Sequence, residues 1–175
     1  WLVVWRKRSL LKAHTRQQGF AESTGEGKLS TDGDPMVTVV MPVKGVKEHS
    51  EGNWHTQLAT SYKGPVEFVF VVESRQDPAY RVLVQLIEYY QSCAGALRSR
   101  HSSEKKPAGT SQLRCQVSDT KTLTLSVAGA ANTCSQKLHN MLQGISVANL
   151  ESAYTLFLAD DVTMHHKMNK HLVRS

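Results

Sequence analysis

The chain has 175 residues, 40% of them hydrophobic and 21% charged, which is enough for one globular domain with a buried core and unlike a disordered chain. Its net charge of +6 comes from two basic runs, residues 6–16 and residues 98–114, and the rest of the chain is nearly neutral. Because neither run has the interleaved aromatic residues that stack on bases, we predict no nucleic-acid partner.

The cysteines Cys93, Cys115 and Cys134 are odd in number and lack C-x-x-C spacing. This pattern argues against a disulfide framework and against a zinc site. The sequence also has no N-x-S/T acceptor for N-linked glycans. Both features suit a protein that faces the cytosol.

The chain begins with "WLVVW", followed by "RKR". Five apolar residues cannot span a bilayer, which needs about twenty. An apolar end with Trp, followed by Lys and Arg, is typical of a membrane helix that exits on the cytoplasmic side. A short amphipathic helix of a soluble protein explains the residues equally well.

From residue 36 onwards, apolar runs typical of buried strands alternate with segments of helical period. The predicted strands are 36–42, 66–72, 121–129 and 153–159. The predicted helices begin near Ser50, near Pro78 and near Cys134, and the last has Leu138, Met141, Leu142 and Ile145 on one face. Residues 20–35 are predicted to form a linker and residues 95–119 a mobile polar insertion loop.

This alternation predicts an α/β fold, in which helices cover an open, mostly parallel, Rossmann-like sheet. In such sheets ligands bind beyond the carboxyl ends of the strands. The polar residues that follow the predicted strands are therefore the candidates for a functional site.

The fourth predicted strand runs directly into Asp160 and Asp161 within "YTLFLADDVTMHH". Two adjacent carboxylates repel each other unless a cation compensates their charge. Mg²⁺ and Mn²⁺ take oxygen ligands and often share them with substrate phosphates, so the pair could hold a metal and a diphosphate. The alternative is a helix N-cap, for which Asp is also favoured.

Other strand ends carry further polar residues. Glu73 and Asp77 follow the second strand and could accept hydrogen bonds from a base or a ribose, although Asp77 could be only the cap before Pro78. Lys137 lies in the first turn of its helix, where it could help to hold phosphate or could simply be solvated. The histidines within 165–171 lack a matching Cys or Glu spacing, so zinc is not predicted there.

Three segments in order resemble the catalytic domain of ceramide glucosyltransferases, with the greatest likeness to the plant and algal branch. They are "VTVVMPVKGVKEHSEGNWHTQLATSYKGPVEFVFVVESRQDPAY", "VAGAANTCSQKLHNMLQGI" and "YTLFLADDVTMH". The resemblance extends over residues 37–92 and 121–166, well over half of the chain.

The resemblance implies a GT-A glycosyltransferase fold and an inverting transfer of glucose from UDP-glucose to ceramide, with Mg²⁺ or Mn²⁺ as the cofactor. It also implies a membrane protein of the Golgi or endoplasmic reticulum whose catalytic domain faces the cytosol. Residues 1–19 would then be the end of an N-terminal membrane helix with its basic flank. Residues 36–175 would be the donor-binding, N-terminal half of the GT-A domain.

The resemblance also implies roles for individual residues. In the family pattern, the residues at the nucleotide sugar are Pro42, Lys44, Gly45, Glu73, Asp77, Lys137 and Asn140. The metal and the diphosphate are held by Asp160 and Asp161. Plant-type members of the family have three acids where this chain has Ala159, Asp160 and Asp161.

The family's later acidic motif, which supplies the catalytic base, and its Q-x-x-R-W motif are expected beyond residue 175, so no residue of this chain is assigned as the base. We therefore expect this portion alone to be inactive. Two alternatives stay open. One is a GT-A glycosyltransferase with another lipid or polysaccharide acceptor, and the other is a non-catalytic module that binds a nucleotide sugar.

Overall fold

The computed structural model of the chain describes residues 3–6, 33–97 and 112–162. The strands of these residues are β1 (Val3–Arg6), β2 (Val37–Pro42), β3 (Val66–Val72), β4 (Gln112–Ser118), β5 (Lys121–Val127) and β6 (Tyr154–Phe157). The helices are α1 (Ser50–Leu58), α2 (Pro78–Leu97) and α3 (Gln136–Val147). The four strands and three helices that the sequence predicts are all present, and β1 and β4 are additional.

The described strands form one sheet in the order β1-β6-β2-β3-β5-β4. The four inner strands are parallel, with Val40 opposite Phe157, Met41 opposite Phe70 and Val72 opposite Val127. The two outer strands pair antiparallel with their neighbours. This register brings the carboxyl ends of β2, β3, β5 and β6 to one edge of the sheet and confirms the predicted mostly parallel α/β fold.

Helices cover both faces of the sheet. On one face, Trp54 of α1 and Leu83 of α2 pack on Phe68 and Phe70 of β3, and the rings of Trp54 and Phe70 meet edge to face at 5.8 Å. Every residue of β3 is buried, as its mostly apolar run predicts for all of them except Glu67. Burial of one such aromatic side chain stabilises the fold by roughly 2 kcal/mol. Among the described residues, most buried apolar side chains belong to the cluster on this face, which therefore forms most of the core.

Helix α3 covers the opposite face, but through different residues from those that the sequence predicts. The predicted contact face was the apolar stripe Leu138, Met141, Leu142 and Ile145. Leu138 and Leu142 are instead 46% and 53% exposed. Asn140 and Gly144 are the buried residues of the helix, and a Cβ atom on Gly144 would overlap Val40 of β2. The helix therefore approaches the sheet closely through its smallest residue.

A buried carboxylate lies on the α3 side of the sheet at its amino end. Glu67 of β3 is 1% exposed and contacts Arg114 Nη2 at 3.3 Å. It accepts hydrogen bonds from the Asn149 backbone N–H at 2.7 Å and from the Thr38 hydroxyl at 3.3 Å. Because a buried charge needs partners, this cluster ties the chain between α3 and β6 to the sheet.

The predicted insertion loop at 95–119 contains more structure than the sequence indicates. Helix α2 continues through Leu97, and residues 112–118 form β4. The alternation of Leu113, Cys115 and Val117 explains this strand, because these side chains point toward the core while their neighbours face outward. Residues 98–111 lie outside the described residues.

The N-terminal residues also differ from the prediction. Val3–Arg6 is a strand that pairs antiparallel with β6, not the end of a helix. β-Branched and aromatic residues favour a strand, and the pairing covers an edge that β6 would otherwise expose. The rest of 1–19 and residues 20–32 of the predicted linker lie outside the described residues. Among the described helices, none is long and apolar enough to cross a bilayer.

Candidate functional site

The chain order of the parallel strands identifies one crevice at the carboxyl edge of the sheet. From β2 the chain moves through β3 to β5 on one side and then returns to place β6 on the other side of β2. Strand order therefore reverses between β2 and β6, which is where open α/β sheets bind their ligands. The loops after β2 and β6 flank this crevice.

The loop after β2 is held by the start of α2. Pro42 ends the strand, Lys44 is exposed, and Gly45 has a φ of 67°, which favours glycine. The Gly45 N–H donates to Asp77 Oδ1 at 3.0 Å, and the same oxygen accepts the Ala79 N–H at 2.9 Å. Asp77 therefore caps α2 and also fixes the loop after β2. Its contact with a nucleoside stays a prediction, as do the donor contacts of Pro42, Lys44 and Gly45.

The loops after β3 and β5 lie side by side. The Gly129 N–H donates to the Glu73 carbonyl at 2.9 Å, and the Ala128 N–H donates to the Val72 carbonyl at 2.9 Å. Glu73 is partly buried directly after β3. It lies at the predicted edge of the sheet, and its proposed contact with the donor stays a prediction.

The start of α3 presents Lys137 and buries Asn140. Ser135 caps the helix by accepting the Leu138 N–H at 3.3 Å. Lys137 is exposed, whereas Asn140 is 3% exposed, and its side chain contacts Gln136 and the Val71 carbonyl. Lys137 therefore has a side chain that can reach a ligand, whereas the side chain of Asn140 is engaged in contacts within the protein. Binding of a donor by either residue stays a prediction.

The acidic pair follows β6 beside the loop after β2. Asp161 Oδ2 lies 3.6 Å from Lys47 Nζ, and both side chains are more than half exposed, so the ion pair is weak. Burial raises the pKa of the half-buried Asp160 carboxyl, and the Asp161 charge adds to the rise. The charges of Lys47 and Lys137 act in the opposite direction on this pKa. Two lysines and two carboxylates, from the loops after β2 and β6 and from the first turn of α3, therefore lie at this edge.

Helix α1 holds the chain that follows the acidic pair. The side-chain amide of Gln57 is buried and donates to the Val162 carbonyl at 2.6 Å. A glutamine in the core thus fixes the exit of the chain from the site. The alternative role of the acidic pair as a helix N-cap depends on residues after Val162, which lie outside the described residues; Asp160 and Asp161 themselves form a turn.

The donor set at this edge suits a hard divalent cation that shares its ligands with a phosphate. Among the described residues, no group of three or more His, Cys, Asp or Glu side chains could enclose a metal. Asp160 and Asp161 supply carboxylate oxygens, the donors that Mg²⁺ and Mn²⁺ prefer. Mg²⁺ is commonly held by one or two carboxylates together with water and substrate phosphates, so the residues present fit such an ion.

A family comparison decides which kind of protein has this arrangement. The model of glycosyl transferase family 21 matches residues 4–110, more than half of the chain. The chain belongs to glycosyl transferase family 21. No curated protein and no solved structure matches it. Membership in this family makes the chain a glycosyltransferase, a class that transfers a sugar from a donor to an acceptor, and agrees with the GT-A type of fold.

The family match and the tertiary structure contribute different parts of the site. The matched residues include Glu73, Asp77 and the loop after β2. Lys137 and the acidic pair lie beyond the match, and parallel pairing brings them to the same edge. The family match therefore includes the site residues that follow β2 and β3. The site residues of α3 and those after β6 are brought to the same edge by the pairing of the strands.

Two residues at this edge were not predicted from the sequence. Lys47 contacts Asp161, and Gln136 makes three hydrogen bonds at the start of α3. Lys47 could have been proposed from the sequence, because it is a lysine that follows the first parallel strand closely. For Gln136 the only signal was Asn140 four residues later on the same helix, because its other two partners are backbone groups of Gly129 and Ala131 that only the folded loop brings within reach.

Proposed function

We propose that this family 21 glycosyltransferase binds UDP-glucose at the carboxyl edge of its sheet and serves the glucosylation of ceramide, a step of sphingolipid metabolism. The observation that supports the proposal is that the loop after β2, the first turn of α3 and the loop after β6 bring Lys47, Lys137 and the pair Asp160 and Asp161 to one edge, at the topological switch point. A diphosphate carries negative charge and is commonly bound together with a cation, and this set provides both acidic metal ligands and cationic side chains.

The loops divide the donor between them in this proposal. The uridine would lie over the loop after β2 and beside Glu73 and Asp77, where backbone and carboxylate oxygens can accept hydrogen bonds from a base and a ribose. The diphosphate would lie between Lys137 and the acidic pair. Lys44 is exposed next to this path and could contribute a further positive charge.

Asp160 and Asp161 would hold the divalent cation, Mg²⁺ or Mn²⁺. When bound, the cation would supply Lewis-acid stabilisation of the charge on the departing diphosphate. The protein's own contribution is to keep two carboxylates adjacent at the end of β6, while Gln57 fixes the chain beyond them. Lys47 would exchange Asp161 for phosphate at little cost, because their ion pair is exposed.

The acceptor and the location follow from the family resemblance rather than from the site. Ceramide is a membrane lipid, so the proposal places the protein on the cytosolic face of the Golgi or endoplasmic reticulum membrane. The described residues form the part that would receive the nucleotide sugar from the cytosol.

Calorimetric titration of UDP into the chain, with and without Mn²⁺, tests the donor site. The test variant is the double substitution Asp160→Asn and Asp161→Asn, which removes two charges at the carboxyl edge. The matched control is Asp119→Asn with Glu151→Gln, which removes two exposed charges at the amino ends of β5 and β6. Circular dichroism and thermal melting establish that each protein is folded.

We expect Mn²⁺-dependent binding of UDP by the native chain and by the control, and loss of the Mn²⁺ dependence in the test variant. Preference for UDP over ADP would support a uridine site. Absence of UDP binding by a folded native chain would overturn the proposal, and so would equal Mn²⁺ dependence in both variants.

The acceptor needs a separate assay. Vesicles that contain the protein together with the acidic motif expected to supply the catalytic base are given UDP-glucose and three candidate acceptors, namely a short-chain ceramide, diacylglycerol and a polyprenyl phosphate. A glucosylated ceramide as the main product supports the acceptor assignment. A product formed on either other lipid, with none on ceramide, overturns that assignment and leaves the donor site intact.

A further inference from the structure

The side chain of Gln136 connects the first turn of α3 to the loop that precedes it. Its Oε1 accepts the Ala131 N–H at 2.8 Å, and its Nε2 donates to the Gly129 carbonyl at 2.8 Å. One amide group thus satisfies a donor and an acceptor of the loop backbone. The loop between β5 and α3 is held in one conformation by a residue of the helix that it leads into.

The same amide extends a chain of contacts into the sheet. Gln136 Nε2 also donates to Asn140 Oδ1 at 2.7 Å, and Asn140 Nδ2 lies 3.5 Å from the Val71 carbonyl of β3. Asn140 is 3% exposed, so this contact is shielded from water. The first turn of α3 is therefore fixed to the end of β3, not only to its own loop.

Lys137 is the next residue along α3, and its exposed side chain lies at the same carboxyl edge of the sheet as Asp160. A flexible lysine binds phosphate as a point charge, so its usefulness depends on where its backbone is held. The contacts of Gln136 fix that backbone position relative to both β5 and β3.

We propose that Gln136 is a positioning residue for the donor diphosphate and that it acts through Lys137. It holds the loop 129–135 and the first turn of α3 so that Lys137 reaches the diphosphate beside the acidic pair. This inference rests on the proposed function, since it assigns the residue that places one of its phosphate contacts.

A purely structural role for Gln136 leads to a different expectation. Loss of hydrogen bonds between neutral groups would then lower the melting temperature, but UDP would bind the folded chain as before. Gln136→Ala removes all three contacts. Gln136→Glu keeps an acceptor for the Ala131 N–H but removes the donors to Gly129 and Asn140 at nearly constant volume.

The experiment measures UDP affinity in the presence of Mn²⁺ by calorimetry for Gln136→Ala, Gln136→Glu, Lys137→Met and the double variant Gln136→Ala with Lys137→Met. The matched control is Gln143→Ala, which removes another glutamine of α3 whose amide donates to Ser126 Oγ at 3.2 Å. Hydrogen exchange of the Ala131 amide reports directly on the loop.

We expect both Gln136 variants and Lys137→Met to bind UDP about tenfold more weakly. The double variant should bind no more weakly than Lys137→Met alone, because Gln136 acts through that lysine. Gln143→Ala should keep the native affinity. The Ala131 amide should exchange faster in Gln136→Ala than in the native chain.

The outcomes separate this inference from the proposed function. Native affinity in a folded Gln136→Ala chain, or fully additive losses in the double variant, would overturn the positioning role while UDP binding by the native chain still supports the donor site. Absence of UDP binding by the native chain would overturn the proposed function and this inference with it. Unchanged exchange of the Ala131 amide would overturn the structural basis of the inference independently of any ligand.

Discussion

Gly45 and Asp77, 32 residues apart in the chain, are joined by a 3.0 Å hydrogen bond from the Gly45 N–H to Asp77 Oδ1. The same oxygen caps α2 through the Ala79 N–H. One carboxylate therefore couples the loop after β2 to the helix after β3. The loop after β2 and the first turn of α2 are consequently joined at the carboxyl edge of the sheet.

Asp77→Ala should lower the free energy of unfolding by about 1–2 kcal/mol, because it removes a helix cap and the support of the loop after β2. Asp77→Asn should lower it by less than about half as much, since the amide oxygen can still accept both N–H groups. Urea denaturation followed by circular dichroism measures both values. Equal losses for the two variants would show that the charge, and not the acceptor geometry, is what stabilises this junction.

Gly144→Ala should destabilise the protein although alanine is the better helix former. A Cβ atom at residue 144 would overlap Val40 Cγ1 and lie 3.3 Å from Val71 Cγ2, and both valines are fully buried in the sheet. Overpacking of this kind costs roughly 1–3 kcal/mol, against a gain of about 1 kcal/mol in helix propensity.

Gly52→Ala is the matched control for Gly144→Ala. Gly52 lies inside α1, and a Cβ atom there would have no neighbour within 4 Å. The same substitution should therefore raise the free energy of unfolding by up to about 1 kcal/mol. Chemical denaturation of both variants gives the comparison, and stabilisation by Gly144→Ala would contradict the close approach of α3 to β2.

The contribution of Tyr62 to the stability of the protein should be lost in alkali. Burial, with smaller contributions from the charges of Asp34 and Tyr154, raises the pKa of Tyr62 from 10.0 to about 12, and its hydroxyl donates to the Pro35 carbonyl at 2.5 Å. Between these two pH values the unfolded chain releases the tyrosine proton and the folded chain keeps it. The stabilisation is fully present below pH 10 and is lost as the pH rises to about 12.

Tyr62→Phe tests this alkaline effect. The variant should lose about 1 kcal/mol near neutral pH, because the hydrogen bond to Pro35 is gone. Its free energy of unfolding should then fall less steeply with pH than that of the native chain between pH 10 and about 12. Equal alkaline slopes for the two proteins would contradict a raised pKa at Tyr62.

Cys115 should resist alkylation while Cys93 reacts. Burial raises the pKa of the Cys115 thiol to about 11, whereas Cys93 is exposed on α2. Only the thiolate reacts, so at about pH 8 roughly one in a thousand Cys115 side chains is reactive even before access is considered. Iodoacetamide labelling followed by peptide mass spectrometry should find Cys93 modified and Cys115 unmodified.

Unfolding the protein in concentrated guanidinium chloride provides the control for this labelling. Both cysteines should then react at similar rates, because the burial of Cys115 is lost. Rapid labelling of Cys115 in the folded protein would indicate that β4 opens or does not pair with β5 as described.

Several local features could be predicted from the residues alone because they depend on short-range patterns. The run "VEFVFVV" predicts a buried strand over 66–72, and the structure has β3 over the same residues. The order of Asp77 before Pro78 likewise predicts a helix cap, and the hydrogen bond from the Ala79 N–H confirms it. The apolar pattern of the strand does not explain Glu67 within it, whose partners come from β2, β4 and the chain after α3.

Helix α3 shows where pattern reasoning failed. Apolar periodicity favoured Leu138 and Leu142 as its contact face, yet Gly144 and Asn140 face the sheet. Periodicity measures the hydrophobicity of a face, whereas close packing also depends on size and on the polar partners that the sheet offers. The antiparallel strand β4 was missed for a related reason, because its partner β5 is needed to bury alternate side chains of a polar segment.

The sequence by itself determined the alternation of strands and helices, the parallel α/β class and the polar residues that end each strand, because burial and backbone preference act over a few neighbouring residues. Only the tertiary structure decided the strand order, which puts β6 beside β2 and so brings Asp161 within 3.6 Å of Lys47. It also decided that Asp77 holds a loop 32 residues away in the chain and that Gln136 holds the loop just before its own helix. Such relationships depend on register and helix placement, which are set by the packing of the whole sheet.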